Sequence, residues 1–341
     1  MTRDDNPARN HPRPLYEKGP NWEWEKYWAY FRSREVVKEL PELHFFKGEW
    51  GTLHPDSIVM ASFPRSGNTL LRAFMEKITG IVTGSEADIT LGLIQALMDE
   101  GLEGEGLVDN RVWVVKSHHP ERTGITLYQP KRCVMVLRDP IDCIPSLFHL
   151  TMTDSHDLSL CDEDFVNFQK QWFEYVENEI TVWRDFHEFW LNSDMPVHVI
   201  RYEDMVKRGR YAMTELMKFM FKMEDIEGTV IGQYVDMATE VAAPQKYVPR
   251  AGKAGMANID KYDHELLTFM ANQAGETLKK LGFYQNYQQP DSAEFGAGNP
   301  NAWFEEYNAK QLAKVCKKGK KKPYTSVLIN EPSALIRNPS V

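Results

Sequence analysis

The 341-residue chain has only four cysteines, Cys133, Cys143, Cys161 and Cys316, with no CxxC pair and no Cys/His spacing suited to a metal. This excludes a disulfide framework or a zinc site as the organising device, and it sets a reducing, cytoplasmic compartment as the expectation. Long apolar runs are missing as well: nothing approaches the roughly 20 residues that span a bilayer, and residues 1–20 hold no signal-peptide core. No integral membrane segment is expected. Positive charge is in deficit, with a net charge of −9, which disfavours nucleic acid and heavily sulfated glycans as partners.

What is present is an ordinary globular composition, 42% hydrophobic and 26% charged with 12% aromatic residues, long enough to bury one large core. Short apolar runs at Ile58–Phe63, Val112–Lys116, Arg132–Leu137 and Pro196–Arg201 read as buried parallel strands. Thr69–Ile78 reads as a helix, and residues 162–191 place Phe165, Phe168, Trp172, Val176, Ile180, Trp183 and Phe186 at helical spacing, a stripe that faces a core. The alternation predicts an α/β fold, a P-loop-like three-layer α/β/α unit on a central, mainly parallel sheet.

Three regions follow from this reading. Residues 51–285 form the main domain. Residues 1–50 are an extension whose aromatic cluster, Trp22–Phe31, packs on it, either as a helix covering the core or as the wall of a substrate cavity. Residues 286–341 read as a loop-like tail whose basic run, Lys317–Lys322, is a solvated segment or, more sharply, an import or acidic-lipid signal. The acidic, glycine-bearing stretch Asp99–Asp109 reads as a mobile surface loop.

Chemistry concentrates at the junction Ser62-Phe-Pro-Arg-Ser-Gly-Asn-Thr-Leu-Leu71, between a predicted strand and a predicted helix. Such a junction turns several backbone N–H groups and the positive helix end toward one point, which suits phosphate or sulfate. Gly67 permits the turn, Arg65 adds a forked cation, and Ser66, Asn68 and Thr69 add polar side chains. The Gly-Lys pair of a GxxxxGK[ST] nucleotide loop is absent, so this is an anion loop of another kind.

Further segments point to the same crevice. Lys116 and His118 stand two apart at the end of the second strand and share a side in extended geometry. Arg138 ends another strand, Asp139 is a candidate N-cap, Pro140 suits the first helical turn, and Ser146 lies on the helix that follows, which Pro145 is expected to kink. Tyr202 closes the next strand, and Arg250-Ala-Gly252-Lys253-Ala-Gly255 is a small basic glycine loop.

Taken in order, these segments resemble the sulfotransferase superfamily over residues 55–285. The family's Pro-Lys-Ser-Gly-Thr-Thr-Trp is matched by Pro64-Arg65-Ser66-Gly67-Asn68-Thr69-Leu70, and its Lys-Thr-His-x-Pro by Lys116-Ser117-His118-His119-Pro120. The resemblance implies the donor 3′-phosphoadenosine 5′-phosphosulfate (PAPS), with Ser66–Thr69 on the 5′-phosphosulfate and Arg65 near the bridging oxygen. It implies His118 as catalytic base and Lys116 as support for the sulfuryl group; His119 reads as a loop histidine. Arg138 and Ser146 keep the eight-residue spacing of the 3′-phosphate motif. Tyr202 matches a tyrosine near the adenine, and Arg250, Gly252 and Gly255 match the glycine loop over the 3′-phosphate. Leu70 stands where the family has an adenine-stacking tryptophan and Ala251 where it has lysine, a charge that Lys253 restores. The Lys-Thr-Val-Glu dimer signature is missing, so no oligomeric state is implied.

The implied reaction is in-line sulfuryl transfer to a hydroxyl or amine of a small-molecule acceptor, without a metal. A small-molecule or nucleotide kinase with a divergent phosphate loop is a second reading, separated by magnesium-ATP use; a catalytically silent nucleotide-binding protein is a third. Variable loops at 80–110, 150–162 and 235–250 are the expected sources of the acceptor pocket.

Overall fold

The computed structural model describes residues 24–46, 53–90, 92–99, 101–121, 126–155, 158, 160–240, 256–287, 301–316 and 327–329. Its elements in chain order are α1 Trp24–Arg32, β1 Ile58–Ser62, α2 Asn68–Thr79, β2 Gly84–Ser85, α3 Gly92–Asp99, β3 Val114–Ser117, β4 Arg132–Leu137, α4 Pro140–Thr153, α5 Asp162–Asn167 and α6 Gln169–Leu191. They continue with β5 Val197–Arg201, α7 Tyr202–Lys207, α8 Gly209–Phe221, α9 Val230–Glu240, α10 His264–Lys280 and α11 Asn301–Cys316. The strands order as β2-β3-β1-β4-β5 in one sheet, and every pair is parallel.

Alternate strand residues point to opposite faces, and two cores result. Val59, Ala61, Cys133, Met135, Val197 and Val199 meet α4, α6 and α10 on one face. Ile58, Met60, Val114, Val134, Val136 and Ile200 meet α1, α2, α8 and α9 on the other. The expected three-layer α/β/α architecture is therefore observed, with strands buried on both faces, as all-parallel sheets require. Among the described residues no helix is long and apolar enough to cross a membrane.

The N-terminal aromatics take the core-covering role. Trp24 lies 4.0 Å from the His54 ring and 5.0 Å from Trp113, while Trp28 lies 5.6 Å from Phe221, centroid to centroid. His54 and Trp113 precede β1 and β3, so α1 packs at the amino ends of the strands, opposite their carboxyl ends.

Pro145 sits inside a continuous α4. Its missing N–H would have served the carbonyl of Ile141. That carbonyl, with Pro140 O, accepts instead from the buried Tyr262 hydroxyl at 3.3 Å and 3.4 Å.

Three sequence expectations need correction. The stretch after α3 is packed: Glu105 is 1% exposed and ion-paired with Arg72 of α2. A Cβ on Gly104 would sit 2.0 Å from Thr83 O, so the loop lies directly on the chain leading into β2. Within 162–191 the helix breaks at Phe168, which is 37% exposed, whereas Phe165 and the five residues from Trp172 to Phe186 are core. Beyond 286 the chain is not loop throughout, since α11 lies along β5. There Asn308 Oδ1 accepts from Val199 N at 2.9 Å and its Nδ2 donates to Val199 O at 2.8 Å, so an amide stands in for the missing strand neighbour and closes the sheet edge. The Lys317–Lys322 run lies outside the described residues.

Candidate active site

β1 and β4 are neighbours, and the helices that follow them, α2 and α4, leave to opposite faces. Loops after such strands open a crevice at their carboxyl ends. Residues 63–67 and Arg138 occupy that crevice.

The first loop is held in a conformation few residues adopt. Arg65 has φ 64° and Gly67 φ 97°, both left-handed. Gly67 is required twice over, because a Cβ there would lie 2.4 Å from Cδ2 of Tyr202. Gly67 caps α2 without any side-chain hydrogen bond, so the first-turn N–H groups of α2 face the crevice uncapped. Ser66 is fully buried, and its Oγ has no hydrogen-bond partner.

The second loop reaches across to the first. Arg138 donates from its NH1 group to Arg65 O at 2.8 Å, and its Cζ lies 4.3 Å from the centre of the Tyr202 ring. Its Nε is buried and unpartnered. Arg65 in turn donates through Nε to Ser146 Oγ of α4 at 3.0 Å. Buried orphan donors at Ser66 and Arg138, the uncapped helix and two guanidinium groups form a donor set suited to a ligand with two separate anionic groups.

His118 follows β3, on the opposite side of β1 from β4. Its Nδ1 lies 2.6 Å from Ser62 O, an acceptor only, so Nδ1 carries a proton and, in the neutral ring, Nε2 is the nitrogen that can accept one. Ser62 Oγ accepts from Asn68 Nδ2 at 3.1 Å, and Asn68 Oδ1 accepts from Thr69 Oγ1 at 3.3 Å. The first turn of α2 is thus tied to the strand residue that orients His118. Lys116, in register with Met60 and Ser85, faces the α2 layer.

Buried acids underlie the Arg138 loop. Asp139 caps α4 through Ile141 N at 3.0 Å and accepts from Tyr287 Oη at 2.9 Å and Asn286 Nδ2 at 2.6 Å. Burial, then the nearby Asp142, pushes its carboxyl up to about 7. Burial also raises Glu203, against the pull of Arg201. These partners were missed in the sequence because Asn286 and Tyr287 lie nearly 150 positions downstream; Ser62, acting through its backbone carbonyl, leaves no sequence signal.

The structure gathers Arg65, Ser66, Gly67, Asn68, Thr69, Lys116, His118, Arg138, Ser146 and Tyr202 around the carboxyl ends of β1, β3, β4 and β5. Leu70 does not join them: it is 1% exposed within the α2 core, which leaves no face for an adenine. His119 is buried against Phe189 and Trp190, and burial pushes it down to about 4. Arg250, Gly252 and Lys253 lie outside the described residues. Among the described residues no cluster of His, Cys, Asp and Glu is arranged to hold a metal ion.

Comparison with known proteins adds three findings. The sequence model of the sulfotransferase domain matches residues 55–228. WSCD family members of Drosophila melanogaster and Aedes aegypti are 24% identical over 198 residues and 26% identical over 163. These alignments take in 54% and 47% of this chain and 60% and 49% of the relatives, so the chain spans less than two thirds of their length. Among solved structures, mouse sulfotransferase SULT7A1 complexed with PAP is similar over 76% of this chain and 85% of that one, at 17% identity and a TM-score of 0.33.

Proposed function

This chain belongs to the sulfotransferase family, and we propose that it transfers a sulfuryl group from 3′-phosphoadenosine 5′-phosphosulfate to a hydroxyl or amine of a small-molecule acceptor. One observation carries the reading: two cationic loops meet at Arg65, Arg138 and Ser146 beside an uncapped helix, with a tautomer-fixed His118 at the same helix end.

In this reading Ser66 Oγ and the first-turn N–H groups of α2 hold the 5′-phosphosulfate, while Arg138 and Ser146 hold the 3′-phosphate. Tyr202, packed between Gly67 and Arg138, sets one wall for the adenine. The acceptor oxygen or nitrogen attacks sulfur in line; a new S–O or S–N bond forms, and the bond from sulfur to the bridging oxygen breaks. His118 Nε2 takes the acceptor proton. Arg65 and Lys116 stabilise the charge on the moving group and on the leaving 3′-phosphoadenosine 5′-phosphate. Arg65 does this as a permanent cation, since guanidinium does not give up its proton.

The test uses sulfur-labelled donor with a panel of hydroxylated and amine-bearing acceptors. Label in an acceptor, with an equal amount of 3′-phosphoadenosine 5′-phosphate formed, is the expected result, and His118→Ala should lower kcat about a hundredfold or more. Full turnover in that variant would remove His118 as base. Phosphoryl transfer from magnesium-ATP would replace the reading with a kinase.

A further inference from the structure

Beyond β5, the sheet edge borders a cavity of about 400 Å³ between α7, α8 and α11, within the size range of small-molecule sites. Gln311 and Asn308 of α11 serve the strand backbone at Val197 and Val199. One turn earlier α11 presents Phe304 and Glu305, and there the cavity opens instead, with Arg201 and α8 on its other walls. The strand order puts β4 and β1 between β5 and β3, so His118 lies three strand spacings, about 14 Å of sheet, from this edge. Tyr202, next in sequence to Arg201, turns to Gly67 and Arg138 and does not line the cavity.

The inner wall is cationic. Arg201 is 8% exposed, and its Cζ lies 5.1 Å from the centre of the Phe304 ring and 5.4 Å from that of Phe283. Its Nε stands 3.8 Å from Glu203 Oε2, beyond hydrogen-bond distance. The guanidinium is thus framed by ring faces, and a forked donor of this kind takes a carboxylate through two parallel bonds. The mouth is acidic. Asp204 accepts from Arg208 Nε and NH2 at 3.2 Å and 3.0 Å, and Glu215 accepts from Lys218 at 2.7 Å, so each of these acids has its cation. Glu305 is exposed; it takes a bond from Tyr211 Oη at 3.5 Å and, among the described residues, pairs with no cation. Between the two ends, Ala212 and the Phe304 ring are apolar.

We propose that this cavity binds a small zwitterion of the amino-acid type, with its carboxylate inward on Arg201, its apolar body along Ala212 and Phe304, and its ammonium at the mouth on Glu305. A carboxylate is buried only beside a charged, hydrogen-bonding partner, which Arg201 supplies. A phosphate ester or other multiply charged anion would enter past the acids at the mouth, and a wholly apolar ligand would strip water from Arg201 with nothing in return. A molecule with one charge of each sign matches both ends. The site is separate from the sulfuryl-transfer reading and does not depend on it.

The test is calorimetric titration of the full chain with L-leucine and L-phenylalanine. N-acetyl-L-phenylalanine and L-phenylalaninamide, each lacking one of the two charges, serve as controls. Both amino acids should bind, and each control should bind about tenfold more weakly than L-phenylalanine. R201K keeps a cation beside Glu203, and so the fold, but loses the forked geometry; it should weaken both amino acids about tenfold. E305K, at the exposed mouth, should weaken both amino acids about tenfold and leave N-acetyl-L-phenylalanine unchanged, because that control has no ammonium to repel. Binding of neither amino acid, equal binding of either control, or affinities that both variants leave intact overturns the proposal. The titration needs no donor, acceptor or turnover, so its outcome is read independently of the proposed function.

Discussion

Arg65 donates through Nε to Ser146 Oγ at 3.0 Å, across 81 residues of sequence. The bond joins the loop after β1 to the helix after β4, so the subsites assigned to the two ends of one nucleotide are built as a single unit. Ser146→Ala removes a hydroxyl from the proposed 3′-phosphate subsite and should weaken 3′-phosphoadenosine 5′-phosphate about tenfold, with AMP almost unaffected. Parallel calorimetry of the two nucleotides checks this; an equal loss for both would detach Ser146 from the 3′-phosphate.

Gly67 is fixed by its φ of 97° and by the Tyr202 ring. Gly67→Ala should destabilise the protein by about 1–3 kcal/mol and displace Tyr202, with loss of nucleotide binding. Adding Tyr202→Ala relieves the clash and leaves the backbone strain, so thermal unfolding should show partial recovery. Full recovery would mean that strain at this turn contributes nothing.

Tyr262 and Pro145 form a compensating pair. Tyr262→Phe leaves Ile141 O without the hydroxyl that replaces the missing helix N–H, and should cost about 1 kcal/mol in urea unfolding. With Pro145→Ala the helix supplies that N–H itself, and the same tyrosine change should then cost much less. Additive effects would show that the hydroxyl does not stand in for it.

Stability against acid is set by opposing groups. Burial pushes His54 and His119 down to about 4 and His187 and His198 to about 3. Each contributes stability that is present above an unfolded value of about 6.5 and is lost as pH falls toward its folded value. Asp139, pushed up to about 7 by burial and then by Asp142, acts oppositely: its contribution is present below an unfolded value of about 3.9 and is lost as pH rises through 7. Between pH 4 and 6 four histidines oppose Asp139 and Glu203, whose carboxyl burial also raises, so the histidines win. Urea midpoints should fall from pH 7 to pH 5, and His187→Phe should flatten the slope. Rising midpoints on acidification would contradict the assignment.

The elements that carry the candidate site were more legible in the sequence than the groups that support them. β4 and the span from Arg138 to Ser146 were readable because a strand end, an N-cap and a first-turn proline are local signals. Glu105 was not, since a glycine-bearing acidic stretch has the composition of a solvated loop and its partner Arg72 lies 33 positions away. The helix α11 was missed because the amides of Asn308 and Gln311 interrupt the apolar positions Phe304, Leu312 and Val315 on the side that meets the core. Leu70 was assigned by motif alignment, which gives a position in a pattern and not the direction of a side chain; the helix turns it into the core.

The central claim is that this crevice holds a nucleotide with phosphate at both the 3′ and 5′ positions. Calorimetric titration with 3′-phosphoadenosine 5′-phosphate, alongside AMP and magnesium-ATP, tests it most directly. The account predicts tight binding only when the 3′-phosphate is present, and a loss of about a hundredfold in Arg138→Ala. Preference for magnesium-ATP, or equal affinity for AMP and 3′-phosphoadenosine 5′-phosphate, would contradict it.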